Sequence, residues 1–204
     1  FHVDSVVYDD CKVAFAGVSK YGTPMLQLNH EGGMFTTRLI DRASDDYKKL
    51  WDLNEKVIKS MGLKKGVTHI EYIKGKEDGK FYFLEAGARP GAARIADVLW
   101  HASDICLWHE WAKLEVAQGP LSLPPARKDY AGAIITLAKV ENPDLSAYSD
   151  PEICYRQARK WHAGLIVKSP SQARVEELLK QYAERFAKDF MTHGPPLDRN
   201  RPSA

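Results

Sequence analysis

Two glutamates in the first half of the chain stand where an alternating strand pattern should carry apolar side chains. In residues 67–73, Val67, His69, Glu71 and Ile73 share one strand face by the two-residue period, and in residues 80–86 so do Phe81, Phe83 and Glu85. Asp78-Gly79 between the two runs is a strong turn signal, so together they predict a hairpin. If the two faces coincide, Glu71 and Glu85 converge with Cβ atoms roughly 5–8 Å apart. Two anions that close repel unless a cation sits between them. Mg²⁺ prefers hard oxygen ligands and usually takes one or two carboxylates together with substrate phosphates, which suits such a pair. The residues alone leave other readings open: both carboxylates face solvent, or they pair with Lys80 or Arg89.

Arg89 follows in the run Gly87-Ala88-Arg89-Pro90-Gly91. Glycines allow close backbone approach, and an arginine fork there can clamp a phosphate or carboxylate, although a surface arginine on a Gly/Pro turn is the commoner case. The run has no Walker pattern and is not a P-loop. His69 lies on the Glu71 face, as a supporting partner or as a structural histidine. His2 and Asp4 form the polar face of another strand. Trp100, Trp108, Trp111, His101 and His109 fall at helical spacings that suit packing. No Ser/His/Asp or Cys/His arrangement stands out, so side-chain nucleophilic catalysis has no support.

These groups need elements to hold them. Residues 1–8 and 12–18 alternate as two strands around an Asp9-Asp10 turn. Residues 21–37, with Gly22, Pro24, Gly32 and Gly33, read as a loop with room for a short strand. The stripe Tyr47, Leu50, Trp51, Asn54, Val57, Ile58, Met61 predicts a helix over 45–61, with Ser44 as cap, Gly62 as stop and one polar exception at Asn54. Shorter helices are expected over 92–100 and 104–117, with Ser103 and Gly119 as start and stop signals. Three prolines within 120–125 suggest a linker. Strands are expected over 131–140 and 161–168 around a loop holding Pro143 and Pro151. Ser169-Pro170-Ser171-Gln172 then starts a helix striped by Val175, Leu178, Leu179, Tyr182, Phe186 and Phe190.

The whole is a globular α+β chain of 204 residues, 44% hydrophobic and 27% charged, so disorder and coiled-coil repeats do not fit. A formal charge of +2 without long runs of one sign gives no support to nucleic-acid binding. No stretch approaches the roughly 20 apolar residues of a membrane helix, and no basic-then-apolar leader is present. Cys11, Cys106 and Cys154 are odd in number and form no CxxC pair, which argues against disulfides and zinc and for a reducing, cytoplasmic location. A start at Phe1, directly in a strand, suggests that something precedes it.

Taken in order, the motifs resemble the C-terminal half of the ATP-grasp fold. They are Phe-His-Val-Asp-Ser-Val-Val at 1–7, Gly-Val-Thr-His-Ile-Glu-Tyr-Ile at 66–73, Phe-Tyr-Phe-Leu-Glu-Ala-Gly-Ala-Arg-Pro-Gly at 81–91 and Ser-Asp-Ile-Cys-Leu-Trp at 103–108. The branch is similar to carboxylate–amine ligases, including amino-acid ligases. The resemblance implies an α+β antiparallel sheet packed with helices over 1–119, a linker at 120–129, a small α+β lobe at 130–192 and a flexible tail at 193–204. It implies ATP and Mg²⁺ as cofactors, with Glu71 and Glu85 on the metal and Arg89 steadying the transferred phosphate or acyl phosphate. His2 and Asp4 would then lie on the strand bordering the nucleotide's ribose. Small-molecule carboxylate and amine substrates are the implied partners, with a second copy of the chain a candidate one. Many members carry Asn where this chain has Gly87. The first ATP-grasp half, with its glycine-rich loop and lysines, is not in these residues, so the expectation is a metal-binding half that does not turn over by itself. The competing expectation is a non-catalytic binding module derived from such a ligase.

Overall fold

The computed structural model describes residues 1–191 apart from 26, 27, 29, 31, 32, 120 and 158. Eight strands form one antiparallel sheet: β1 (His2–Tyr8), β2 (Lys12–Tyr21), β3 (Phe35–Leu39), β4 (Gly66–Lys74), β5 (Phe81–Gly87), β6 (Tyr130–Leu137), β7 (Ile153–Arg156) and β8 (His162–Ser169). Their spatial order is β5-β4-β1-β2-β3-β6-β8-β7. Four described helices cover it: α1 (Asp45–Met61), α2 (Ile95–Ser103), α3 (Leu107–Val116) and α4 (Gln172–Asp189). None is long and apolar enough to cross a membrane.

The period-two pattern divides the sheet into two faces. Val3, Val18, Ile70 and Tyr72 pack under α1 with Leu50 and Ile58, and Ile134, Leu165 and Val167 pack under α4 with Val175, Leu178 and Phe186. On the opposite face, Val6, Leu39, Val67, Ala131 and Ala133 pack with Ile95, Val98 and Leu99 of α2 and Leu107 and Leu114 of α3. The polar exception in the α1 stripe has a structural cause: Asn54 Nδ2 donates to Ser5 Oγ (2.9 Å) and its Oδ1 accepts from the Tyr72 hydroxyl (3.3 Å). Helix α1 starts and stops as its caps predict, with Ser44 Oγ accepting from Tyr47 N–H and Gly62 at φ 67°.

Several expected boundaries move. Helix α2 starts at Ile95 instead of 92, because Ala93 and Arg94 take positive φ (47° and 65°). Ser103 does not start α3; its Oγ donates to Leu99 O and accepts from Ile105 N–H, closing α2. Pro170 lies outside α4, whose cap is Ser171, with Ser169 Oγ accepting from Ser171 N–H instead. The short strand allowed for in the stretch 21–37 lies at its end and runs past it, over Phe35–Leu39, and Ile153–Arg156 in the second expected loop is also a strand. The strands within 130–169 continue the same sheet: β6 pairs with β3, Thr37 facing Ala133, and the sheet runs on through β8 and β7. The expected tail at 193–204 lies outside the described residues.

Candidate functional site

The hairpin that carries the two glutamates forms, and its register places Glu71 directly opposite Glu85. A β-bulge makes this possible. From the turn, Lys74 pairs with Phe81, Ile73 with Tyr82 and Tyr72 with Phe83; the next pair is Glu71 with Glu85, Leu84 being the extra residue. The bulge also corrects the expected parity. Phe83 and Phe81 share the α1 side with Tyr72 and Lys74, and only Glu85 and Gly87 return to the Glu71 side. Phe81 packs edge-to-face on Phe1, ring centroids 5.2 Å apart.

Glu71 is largely buried, its side chain 15% exposed, whereas Glu85 is exposed. Neither pairs with Lys80 or Arg89 among the described residues; Lys80 Nζ is 3.9 Å from Asp78 Oδ2. The Arg89 side chain folds back over Gly87, where an added Cβ would meet Arg89 Cγ at 3.2 Å, and its Nη1 donates to Pro90 O (3.1 Å).

Beneath Glu71 lies a chain of buried polar groups. Register places His2 opposite Glu71 and Asp4 opposite His69, all on one face. His2 Nδ1 is 2.6 Å from Asp4 Oδ2, and His69 Nδ1 is 2.8 Å from Asp4 Oδ1. His69 Nε2 is 3.3 Å from Glu71 Oε1, and the Tyr21 hydroxyl donates to that same oxygen. The Thr37 hydroxyl closes the other end, 2.7 Å from His2 Nε2. Burial pushes the His2 imidazole down, more than Asp4 raises it, which favours the neutral ring; in the tautomer that gives Nδ1–H to Asp4, its Nε2 accepts from Thr37. Burial opposes charge on Asp4 and on His69; His2 first and His69 second outweigh it at Asp4, taking that carboxyl down to about 2, and hydrogen bonds to Asp4 and then Glu71 outweigh it at His69, taking the imidazole up to about 9. The His69 hydrogen bond holds Glu71 below the usual carboxylate range, against burial and with help from Tyr21. Burial and then Glu71 push the Tyr21 phenol up, so it remains a donor.

His2 and Asp4, expected beside the nucleotide, have no exposed surface, and their polar atoms are all engaged with neighbours. With His69 they bring three ligand-type atoms within 4.8 Å of one another, but ring nitrogens already hydrogen-bonded to the carboxylate do not fit a metal. Glu71 and Glu85 fit better. Glu71 Oε2 and the Glu85 carboxylate have no partner among the described residues, and an all-oxygen donor pair suits a hard divalent cation. Tyr21 and Thr37 are the members that sequence reasoning misses, both lying at the ends of the stretch read as loop.

A scan against protein-family models and a search of curated proteins give no match. Solved structures do match. Phosphoribosylglycinamide synthetase from Anaerococcus prevotii superposes with a TM-score of 0.64 at 14% identity, over 94% of this chain and 52% of that one. L-amino acid ligase from Bacillus licheniformis gives 0.64 at 13%, over 95% and 52%. This is the ATP-grasp fold. A third ATP-grasp structure, carboxyaminoimidazole ribonucleotide synthase from asperigillus clavatus complexed with ATP, gives 0.60 at 14%, over 90% and 50%. The chain thus spans about half the length of the ATP-grasp structures it matches.

Proposed function

We propose that residues 1–204 supply the metal-carboxylate half of an ATP-dependent ligase that joins a carboxylate to an amine through an acyl phosphate. The observation that carries this is the pairing of Glu71 with Glu85 on one face of the β4–β5 hairpin, followed by the Arg89 loop, in a fold whose solved neighbours include an L-amino acid ligase and a synthase complexed with ATP. Mg²⁺ held by Glu71 and Glu85 would neutralise phosphate charge. Arg89 presents a planar fork for the transferred phosphate or the acyl phosphate. This division of labour suits phosphoryl transfer, which needs positioning and charge neutralisation more than an activated side chain. His2 and Asp4 serve the nucleotide side only through the groups they support. Because the chain spans half of its structural neighbours, turnover calls on a further nucleotide-covering segment. Three free cysteines accord with a cytoplasmic setting.

The test is ADP formation dependent on Mg²⁺ and a carboxylate, in protein that includes such a segment. Glu85→Gln removes one anion and should lower kcat by about 10²–10³, the usual cost of one transition-state electrostatic contact, with partial recovery at high Mg²⁺. Arg89→Lys keeps the charge, breaks the fork and should not recover. If neither substitution lowers phosphate release, the residues are structural and a non-catalytic binding module is the better reading. Low-micromolar ATP affinity for residues 1–204 by calorimetry would contradict the half-site reading.

A further inference from the structure

Of the two oxygens of Glu71, Oε1 receives both donors in reach, His69 Nε2 and the Tyr21 hydroxyl, and Oε2 has no partner among the described residues. A carboxylate bonded twice through one oxygen cannot swing freely about its terminal torsion, so its other oxygen keeps one direction. His69 in turn cannot rotate, because its Nδ1 is held by Asp4 Oδ1, and Asp4 is fixed on its second oxygen by His2, itself tied to Thr37. The loop that bears Arg89 passes beside Asp4: a Cβ added at Gly91 would come within 2.8 Å of Asp4 Oδ1, so a residue without a side chain lets the loop run past the carboxylate. Asp4 and His2 are wholly buried, and the His69 side chain is 6% exposed.

We infer that His69 and Tyr21 are positioning residues that pin Oε1 of Glu71 and leave Oε2 to a cation, and that the buried Asp4 carboxylate seats this pin through His69. The inference rests on the metal reading of Glu71 and Glu85. Groups that orient a metal ligand typically change metal affinity by about 10–100-fold when removed, without touching the ion. Holding the ligand in one rotamer before binding is the physical source of that gain.

The experiment is titration of the chain with Mn²⁺ alone, read as free Mn²⁺ by electron paramagnetic resonance, with thermal melting as the check on folding. His69→Gln keeps one donor and loses the second; Tyr21→Phe removes only the hydroxyl. Each should weaken Mn²⁺ about tenfold or more while still melting cooperatively. Placed on Glu71→Gln, each should cost nothing further, and on Glu85→Gln each should cost its full factor, because both act through Glu71. A residue that merely supports the fold would weaken binding equally on both backgrounds, and that result overturns the inference. So does wild-type Mn²⁺ affinity in a folded His69→Gln or Tyr21→Phe protein. If His69→Gln does not fold, Tyr21→Phe, at the rim of the network, decides by the same double-mutant comparison. Unchanged affinity in Glu71→Gln overturns the metal reading and the pin together. Weakened affinity in Glu71→Gln with unchanged affinity in Tyr21→Phe overturns the pin alone.

Discussion

Asp4 contacts two imidazoles whose titration is displaced in opposite directions, His2 downward by burial and His69 upward by its carboxylate partners, and folding stability should carry the mark of both. His2 is held below its ordinary value of 6.5, so as pH falls through 6.5 the unfolded chain takes up a proton that the native state refuses, and stability drops. His69 is held up to about 9, so its contribution is complete below 6.5 and is lost as pH rises through 9. Asp4 adds a further loss in acid, as pH falls from 3.8 toward 2. Urea midpoints measured from pH 5 to 9.5 should therefore peak near pH 6.5, and His69→Gln should flatten the alkaline limb alone. An unchanged alkaline limb in that variant would mean that His69 is not the group responsible. A second test concerns Cys154, whose thiol burial pushes up to about 11. Its alkylation at pH 8 should be slower than that of a free peptide thiol, because little thiolate is present.

At the level of elements, the parts legible in the sequence are those whose period runs long enough to outweigh local exceptions. Helix α1 and its Ser44 and Gly62 caps, strands β1 and β4, and the stripe of α4 all follow from spacing and cap chemistry. Four-residue β7 is too short for a period to show, and β3 hides among the glycines that precede it. Ser103 misleads because a serine that caps a following helix and one that bonds back to close the previous helix look alike in sequence. The pairing of Glu71 with Glu85 was legible in the sequence, and the groups beneath Glu71 were not. Asp4 and His2 appear as an exposed polar face until register shows each opposite a polar partner on β4. Two substitutions test the elements directly. Asn54→Ala leaves the Ser5 and Tyr72 hydroxyls without their buried partner and should cost about 1–3 kcal/mol in chemical denaturation. Gly91→Ala forces a methyl group against Ile95 and Asp4 and should cost about 1–3 kcal/mol, the usual range for overpacking.

For the whole molecule, the β3–β6 ladder joins the glutamate-bearing half of the sheet to the half under α4. Helix α2 crosses that seam, since its apolar residues pack with Val6 and Leu39 on one side and Ala131, Ala133 and Ile166 on the other. A shared core of this kind makes separate unfolding unfavourable. Urea unfolding followed by native-state hydrogen exchange should accordingly give amides of β1 and β8 the same opening free energy; a clear gap between them would mean two independent units.

The bulge in β5 also determines how this hairpin can change length. Between the turn and Phe83 the two strands follow one frame, and from Glu85 onward they follow another, with Leu84 as the spacer. Insertions within 75–80 alter the loop and leave the glutamate pairing untouched. Deletion of Leu84 merges the two frames, and a continuous ladder from the turn then seats Glu85 at the position Leu84 held, still opposite Glu71 but with no slack in the strand. Removal of a residue after Glu85 instead draws the Arg89 loop one residue closer to the acidic pair. The pair is therefore insensitive to length in the turn at 75–80 and to loss of Leu84, whereas the stretch from Glu85 to Arg89 sets how far the Arg89 loop reaches.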